Sequence, residues 1–583
     1  HYSMADAEPQ EYLVDGKPVF DDEGNRIPSK GAHKKYLAKK EKDAKKAAHK
    51  AKEQGDKAPA DAGAGGGAAA AADVPAGPVT YKKDEPKELF GDLVMTQSNQ
   101  ETGRTWAHVS KLSADLDGKE VWVRARVHNT RAKGNQCFVV LRQAGFTVQA
   151  ALFKTDTIPK EMVKFAGALS RETVIDLKAK VVKADIKSCT QSDVELAVLR
   201  LYTVSRAEIN LPMQIADAAR SEAEIEESVK LAAEGKMEGA YVRVEQKTRL
   251  DNRIIDLRVP AQNAIMRISS AVGHYFRSAL LEKGFVEIHT PKIIAGASEG
   301  GAAVFKLKYM EGTSVEKPGC LAQSPQLYKQ MCVMGDMERV FEVGPVFRAE
   351  MSATNRHLTE FTGLDFEMQI NESYTEALDM TDYFMVKIFE GIKANFQAEL
   401  QIISQQYPFE PLQYSSGKNP RLMYPEAIAM LRAAGLKNED GSEIDDFQDL
   451  ETAQERTLGK LVKDKYNTDF WVLERFPMAV RPFYTMPCED DPRYSNSYDV
   501  FMRGQEIMSG AQRVHDVPLL VKQCQEKQIP ANDLKAYVDA FRYGAFPHAG
   551  GGIGLERVVA LYLGLDNVRK TSLFPRDMNR LTP

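Results

Sequence analysis

Along residues 119–128, KEVWVRARVH, the apolar Val121, Val123, Ala125 and Val127 alternate with Trp122, Arg124, Arg126 and His128. A period of two places the first set on one face of a strand and the second on the other. QCFVVLR and FTVQAALF follow as a predicted hairpin, and PKEMVKFAGAL then changes to helical spacing. Two more strands, TVIDLKAKVVKA and VELAVLRLYTVS, end the run. After an acid-rich, partly helical stretch (ARSEAEIEESVKLAAEGK), QNAIMRISSAVGHYFRSALLEKGF recurs at helical spacing, and VEIHTPKI reads as a strand ending near Pro291. RVFEVGPVF and EFTGLDFEMQI predict two more strands, with others around Val500 and Ile507. Polar residues interrupt each of these in antiparallel style, and the βαβ alternation of a doubly wound sheet is missing.

Three strands, a helix and two strands is the order of an OB-fold β-barrel, a fold that commonly binds single-stranded nucleic acid. Phe138, Arg124 and Gln149 suit stacking and base contacts on such a barrel. The expected class is therefore α+β, with a barrel over 89–205, a hinge over 206–248 and a large antiparallel-sheet domain over 249–583. Residues 1–88 form a separate tail. Within it, Lys30 to Lys52 holds ten lysines against Glu41 and Asp43. Lys35, Lys39, Lys42, Lys46 and Lys50 would align on one helical face with no apolar stripe opposite, so this helix has nothing with which to dock as core. It is either a solubilising tail or an arm that neutralises phosphates. DKAPADAGAGGGAAAAADVPAGP behind it is a low-complexity linker.

Composition narrows the class further. A chain of 583 residues allows two or three domains, and 43% hydrophobic with 27% charged residues is ordinary for a soluble protein. The six cysteines show neither CxxC pairs nor histidines at ligand spacing, which points to a reducing compartment and no structural zinc. No uncharged apolar run approaches the roughly 20 residues of a membrane span. The first residues lack a signal core and are too acidic for a transit peptide, so a cytoplasmic location is expected.

The chemistry gathers in FRAEMSATNRHLTEFTGLDFEM, from Phe347 to Met368, where two strands flank a loop rich in ionisable side chains. Either this is a surface hairpin with incidental ion pairs, or the loop reaches over a nucleoside triphosphate. Arg348 at a strand end can hold a phosphate bidentately, Arg356 and His357 can reach further along a phosphate chain, and Phe361 offers a ring face to a base. LAQSPQLYKQ (321–330) clusters groups suited to a small charged ligand. Asp499 and Glu506, on adjacent strands, form a plausible carboxylate pair for magnesium. FPHAGGGIGLERVVALYLG fits neither GxGxxG within a βαβ unit nor a P-loop, which needs GK[ST]. A glycine run leading into a helix with Arg557 one turn in suits a phosphate clamp instead.

Together these segments resemble the class II aminoacyl-tRNA synthetases of the aspartate, asparagine and lysine subgroup, in particular the eukaryotic-type cytosolic aspartyl enzymes. VEIHTPKI with Pro291 resembles motif 1, FRAE…RHLTEFTGLDFEM motif 2 and GGGIGLERV motif 3; QSPQLYKQ and SGAQRVHD add to the match, which runs from Leu89 to Pro583. The resemblance implies an ATP-dependent ligase that activates L-aspartate and transfers it to tRNA(Asp), with Mg2+. It implies a catalytic trio of Arg348, Glu350 and Arg557, and ATP held by Arg348, His357, Leu358, Phe361, Glu506 and Arg557. Aspartate would meet Glu299, Ser324, Gln326, Lys329, Asp365, Ser509 and Arg513, with Arg513 and Lys329 pairing with its side-chain carboxylate. Asp499 and Glu506 would carry the metal, and Phe138, Gln149 and Glu195 would read the anticodon. The lysine segment, including Lys30, Lys34, Lys35, Lys39, Lys42 and Lys46, would be a tRNA-binding extension. A homodimer through the region of Pro291 is implied, and other synthetases in a larger complex are candidate partners.

Two alternatives stay open on the sequence: a sibling enzyme using asparagine, and a non-catalytic RNA-binding relative. YMEGTSVEKPGCLAQSPQ carries a small insertion expected to lengthen a hairpin, and 405–464 has no readable motif, so a structural role is expected there.

Overall fold

The computed structural model describes residues 13–14, 17–18, 87–295, 304–529 and 534–583. The lysine-rich segment, the linker and Glu299 lie outside the described residues. Of the N-terminal unit, His1–Thr80, the described part is the short antiparallel pair Leu13–Val14 and Lys17–Pro18.

In the second unit, Tyr81–Pro583, the predicted barrel closes. Glu120–Lys133, Gln136–Gln143 and Phe146–Phe153 run antiparallel in turn, and Val174–Lys183 pairs back onto the first of them. Val194–Ser205 seals the barrel, antiparallel to Val174–Lys183 and parallel to Phe146–Phe153. Val121, Val123, Ala125 and Val127 all point into its core, as their alternation requires. Helix Lys160–Gly167 packs Met162, Val163 and Phe165 against that core. A short strand, Phe90–Asp92, adds in parallel to Val194–Ser205. The 206–248 stretch is partly helical, and Glu222–Ala233 begins with a capping box between Ser221 and Glu224.

Beyond it stands an eight-stranded sheet in the order Arg421–Met423, Phe470–Glu474, Ser497–Met502, Gln505–Gln512, His548–Gly554, Glu360–Gln369, Arg339–Phe347, Val286–Glu287. The six inner strands are antiparallel, and each outermost strand pairs in parallel. Helices Pro260–Glu282, Thr375–Asn395 and Leu555–Tyr562 join the sheet's main core, where Phe276, Phe341, Phe366 and Phe384 meet edge to face.

One expectation needs correction. VEIHTPKI is not one strand. Val286–Glu287 pairs with Val340–Phe341 at the sheet edge, whereas Ile293–Ile294 joins a separate three-stranded sheet. Pro291 between them has no N–H to donate, and the Glu342 carboxylate holds the bend by accepting from Thr290 N, Thr290 Oγ1 and Lys292 Nζ. The glycine run does lead into a helix, Leu555–Tyr562, but is itself a central strand, His548–Gly554, which the sequence reading did not assign. The residues after Tyr309 form the turn of a hairpin between Lys306–Tyr309 and Lys317–Leu321.

Candidate active site

The sheet's antiparallel centre carries a cavity of about 340 Å³, and the hairpin that drew attention in the sequence forms one of its walls. Arg339–Phe347 and Glu360–Gln369 pair from Arg339↔Met368 to Phe347↔Glu360, so the loop between them starts at Arg348. That loop is tied down by the C-terminal segment. Val568 N donates to Asn355 O at 2.9 Å, Arg569 Nη1 to Thr354 O at 2.9 Å and Thr359 N to Arg576 O at 2.9 Å.

Arg348, Glu350, His357, Leu358 and Phe361 all line the cavity. His357 hydrogen-bonds Thr354 Oγ1 through Nδ1 at 2.6 Å and faces Glu350 at 3.7 Å through Nε2. Burial lowers its pKa, and Glu350 only partly opposes this. Across the cavity, Arg557 Nη1 donates to Glu506 O at 2.9 Å. Arg557 and Phe361 both lie beside Gly554, where an added Cβ would lie 3.7 Å from Arg557 Cβ and 4.0 Å from the Phe361 ring. The glycine strand passes between crowded neighbours: a Cβ at Gly552 would sit 2.8 Å from Asp365 Oδ1. Glycine is needed here for close approach rather than for a turn.

Four buried charges form the floor. Arg513 donates to Glu367 through Nε at 2.9 Å and Nη2 at 3.2 Å. Lys329 donates to Asp365 at 3.0 Å and to Gly551 O at 3.1 Å, with Glu367 at 3.5 Å. Burial alone would raise the Glu367 pKa, but Arg513 and then Lys329 hold it below the usual carboxylate range. Gln326 accepts from Arg513 Nη2 at 3.4 Å, while its own Nε2 is buried with no hydrogen-bond partner. Arg513, Asp365, Gln326, Ser324 and Ser509 line the cavity directly; Lys329, 1% exposed, sits behind Asp365 as its support.

Asp499 and Glu506 come from strands paired at Asp499↔Ser509 and Phe501↔Glu506. Glu506 lines the cavity. Asp499 is buried against Arg481, with Nη2–Oδ1 at 3.0 Å but without hydrogen-bond alignment, and burial pushes its carboxyl up to about 7.

On the barrel, Gln149 Nε2 donates to Glu195 at 2.6 Å and Gln149 accepts from Arg131 at 3.4 Å. Phe138 shares a surface depression with Arg131 and Gln149. Arg124 does not join them, since Asp176 on the neighbouring strand engages it at 2.6 Å and 2.8 Å.

Sequence reasoning missed two groups that line the cavity, Glu556 and Arg481, and two that hold lining residues from behind, Glu367 and Glu455. Glu367 reads as an ordinary polar position in a strand. Glu556 lies in the site too, accepting from Thr362 N at 3.1 Å and 3.0 Å. Arg481 donates to Ser509 Oγ at 2.8 Å, and its adjacency to Asp499 comes only from the fold. Glu455 lies in the motif-free stretch; with Thr452 it fixes Arg356, at 3.2 Å and 2.6 Å.

A family model described as tRNA synthetases class II (D, K and N) matches residues 245–578, more than half of the chain. The chain belongs to that family. A model described as an OB-fold nucleic acid binding domain matches residues 121–204 of the synthetase. The synthetase is 52% identical over 507 residues to the cytoplasmic aspartate–tRNA ligase of Mus musculus, covering 87% of this chain and 97% of that protein. It superposes on the aspartyl tRNA synthetase of Entamoeba histolytica with a TM-score of 0.78 at 47% identity, over 87% of this chain and all of the other. Asparaginyl-tRNA synthetase of Pyrococcus horikoshii in complex with asparaginyl-adenylate is more distant, at 27% identity and a TM-score of 0.68, covering 83% of this chain and all of the other.

Proposed function

We propose that this synthetase is a cytoplasmic aspartate–tRNA ligase, activating L-aspartate with ATP and passing it to the 3′-terminal ribose of tRNA(Asp). The observation that carries the choice of aspartate is Arg513 at the cavity floor, with Gln326 Nε2 still unpartnered beside it. Their donors suit a carboxylate, and an amide in that place would turn N–H groups toward a guanidinium. The cations are already balanced by Glu367 and Asp365, so the floor is held rigid before substrate arrives.

In the first step the α-carboxylate of aspartate attacks the α-phosphorus of ATP, and the bond to the β-phosphate breaks, releasing pyrophosphate. The nucleophile is already ionised near neutral pH and needs no base. Arg348 holds the α-phosphate and the attacking carboxylate, with Glu350 ordering the loop. His357 and Arg557 take the outer phosphates, and Phe361 with Arg557 sandwiches the adenine. Catalysis is positioning together with stabilisation of charge on the phosphoryl oxygens. In the second step the ribose hydroxyl attacks the acyl carbon and AMP leaves.

Asp499 and Glu506 fit a magnesium ion: they come from adjacent paired strands, and the charge of Glu506 adds to burial in raising the Asp499 carboxyl, a repulsion that a bound cation would relieve. When bound, the ion would neutralise phosphate charge. On the barrel, Phe138, Gln149 and Glu195 read the anticodon. The exposed Val286 and Ile293 flanking Pro291 support a homodimer face. Aspartate-dependent ATP–pyrophosphate exchange by wild type and Arg513→Leu tests this reading. The variant should lose exchange while still binding ATP, and retained aspartate-dependent exchange would refute the assignment.

A further inference from the structure

The nucleotide cavity has a neighbour. A second cavity of about 470 Å³ shares Arg356, Arg557 and Val568 with it. Arg456, Lys460 and Lys463 line it from helix Thr452–Tyr466, and Arg503 from the turn after Ser497–Met502. Spacings of four and three residues place the helical trio on one face. The helix lies close to the Arg503 turn because Gly459 meets Gly504: a Cβ there would stand 3.0 Å from Gly504 N.

Several of these cations are already engaged. Asp469 pairs with Lys463 at 2.8 Å and lies 3.9 Å from Arg503. Glu455 holds Arg356, and Glu506 lies 3.9 Å from Arg557. The remaining lining acid, Asp566, pairs with Lys570. Arg456 and Lys460 are exposed and have no ion pair among the described residues. The cavity therefore carries surplus positive charge beside a site that releases a polyanion.

Resting on the adenylation chemistry above, we propose that this second cavity is a pyrophosphate site that receives the leaving product. Breaking the bond between the α- and β-phosphates leaves pyrophosphate against Arg557 and His357. Arg557 and Arg356 line both cavities, together with Val568, so the boundary between them is flanked by cations that can hand the anion on. Arg456 and Lys460 then hold it away from the adenylate and oppose the reverse reaction. The backbone of the RNA substrate is the other polyanion at hand, but the shared arginines place this cavity where pyrophosphate is produced.

The test uses the full chain and the double variant Arg456→Ala/Lys460→Ala, two exposed helical positions where alanine suits the helix. Pyrophosphate is titrated calorimetrically, alone and with the nucleotide cavity filled by a non-hydrolysable aspartyl-adenylate analogue. Loss of two screened charge contacts should weaken pyrophosphate binding about tenfold in both conditions. In exchange assays the KM for pyrophosphate should rise, with those for ATP and aspartate unchanged. Equal pyrophosphate affinity in variant and wild type overturns the proposal, as does a raised KM for tRNA with pyrophosphate unaffected, which would make RNA backbone the occupant. If wild type neither binds the analogue nor exchanges with aspartate, the adenylation reading fails. The titration of pyrophosphate alone then still decides the site.

Discussion

Arg513, with Lys329 behind it, keeps Glu367 ionised although the carboxylate is wholly buried, and Glu367 in turn balances the buried guanidinium. Removing one partner of such a pair typically costs about 3–5 kcal/mol. Arg513→Leu should therefore lower stability by roughly that amount besides abolishing aspartate activation; a denaturant midpoint equal to wild type would show that the pair is not coupled as described. Glu556 makes a prediction with pH. Burial pushes its carboxyl up to about 7, against the amide bonds it accepts. Its folded value is raised, so its contribution is full below the unfolded value of about 4.3 and is lost as pH rises through about 7. Glu556→Gln mimics the protonated form. Its Tm should match wild type near pH 4 and exceed it at pH 8, by an amount equivalent to about 3 kcal/mol. A gap independent of pH would contradict this. These charges were the part of the site least readable in sequence: a strand glutamate looks like a solvated position until other strands cover it.

The glycine strand decides how closely the elements of the site approach. Gly552→Ala would drive a methyl group into Asp365, whose carboxylate accepts from Lys329. Overpacking of this kind costs about 1–3 kcal/mol, and the displaced carboxylate should raise the KM for the amino acid more than that for ATP. Equal changes in the two KM values would contradict that placement. Barrel strands were readable because their alternation is a local property, and the hairpin was readable because its charges contradicted its position. The glycine strand went unrecognised for an equally physical reason. Glycine is depleted in strands, and what favours it here is the side chains of adjacent strands, which no local window contains. VEIHTPKI failed similarly, since its apolar pattern continues past a proline that ends the pairing. Residues 405–464 looked purely structural because the role of Glu455 is defined by a loop about a hundred residues away.

At the scale of the molecule, we propose that the barrel serves recognition and the sheet domain chemistry, with the lysine-rich extension as a further RNA contact. Deleting residues 1–52 should weaken tRNA binding and flatten the dependence of log K on log salt, because fewer counterions are released. An unchanged slope would return the segment to a solubilising role. ATP–pyrophosphate exchange without tRNA, run in parallel with aspartate, asparagine and lysine, tests the central claim most directly. The charge arrangement around Arg513 and Glu367 predicts exchange with aspartate alone. Exchange supported by asparagine instead would contradict the roles given to Arg513 and Gln326 while leaving the fold intact.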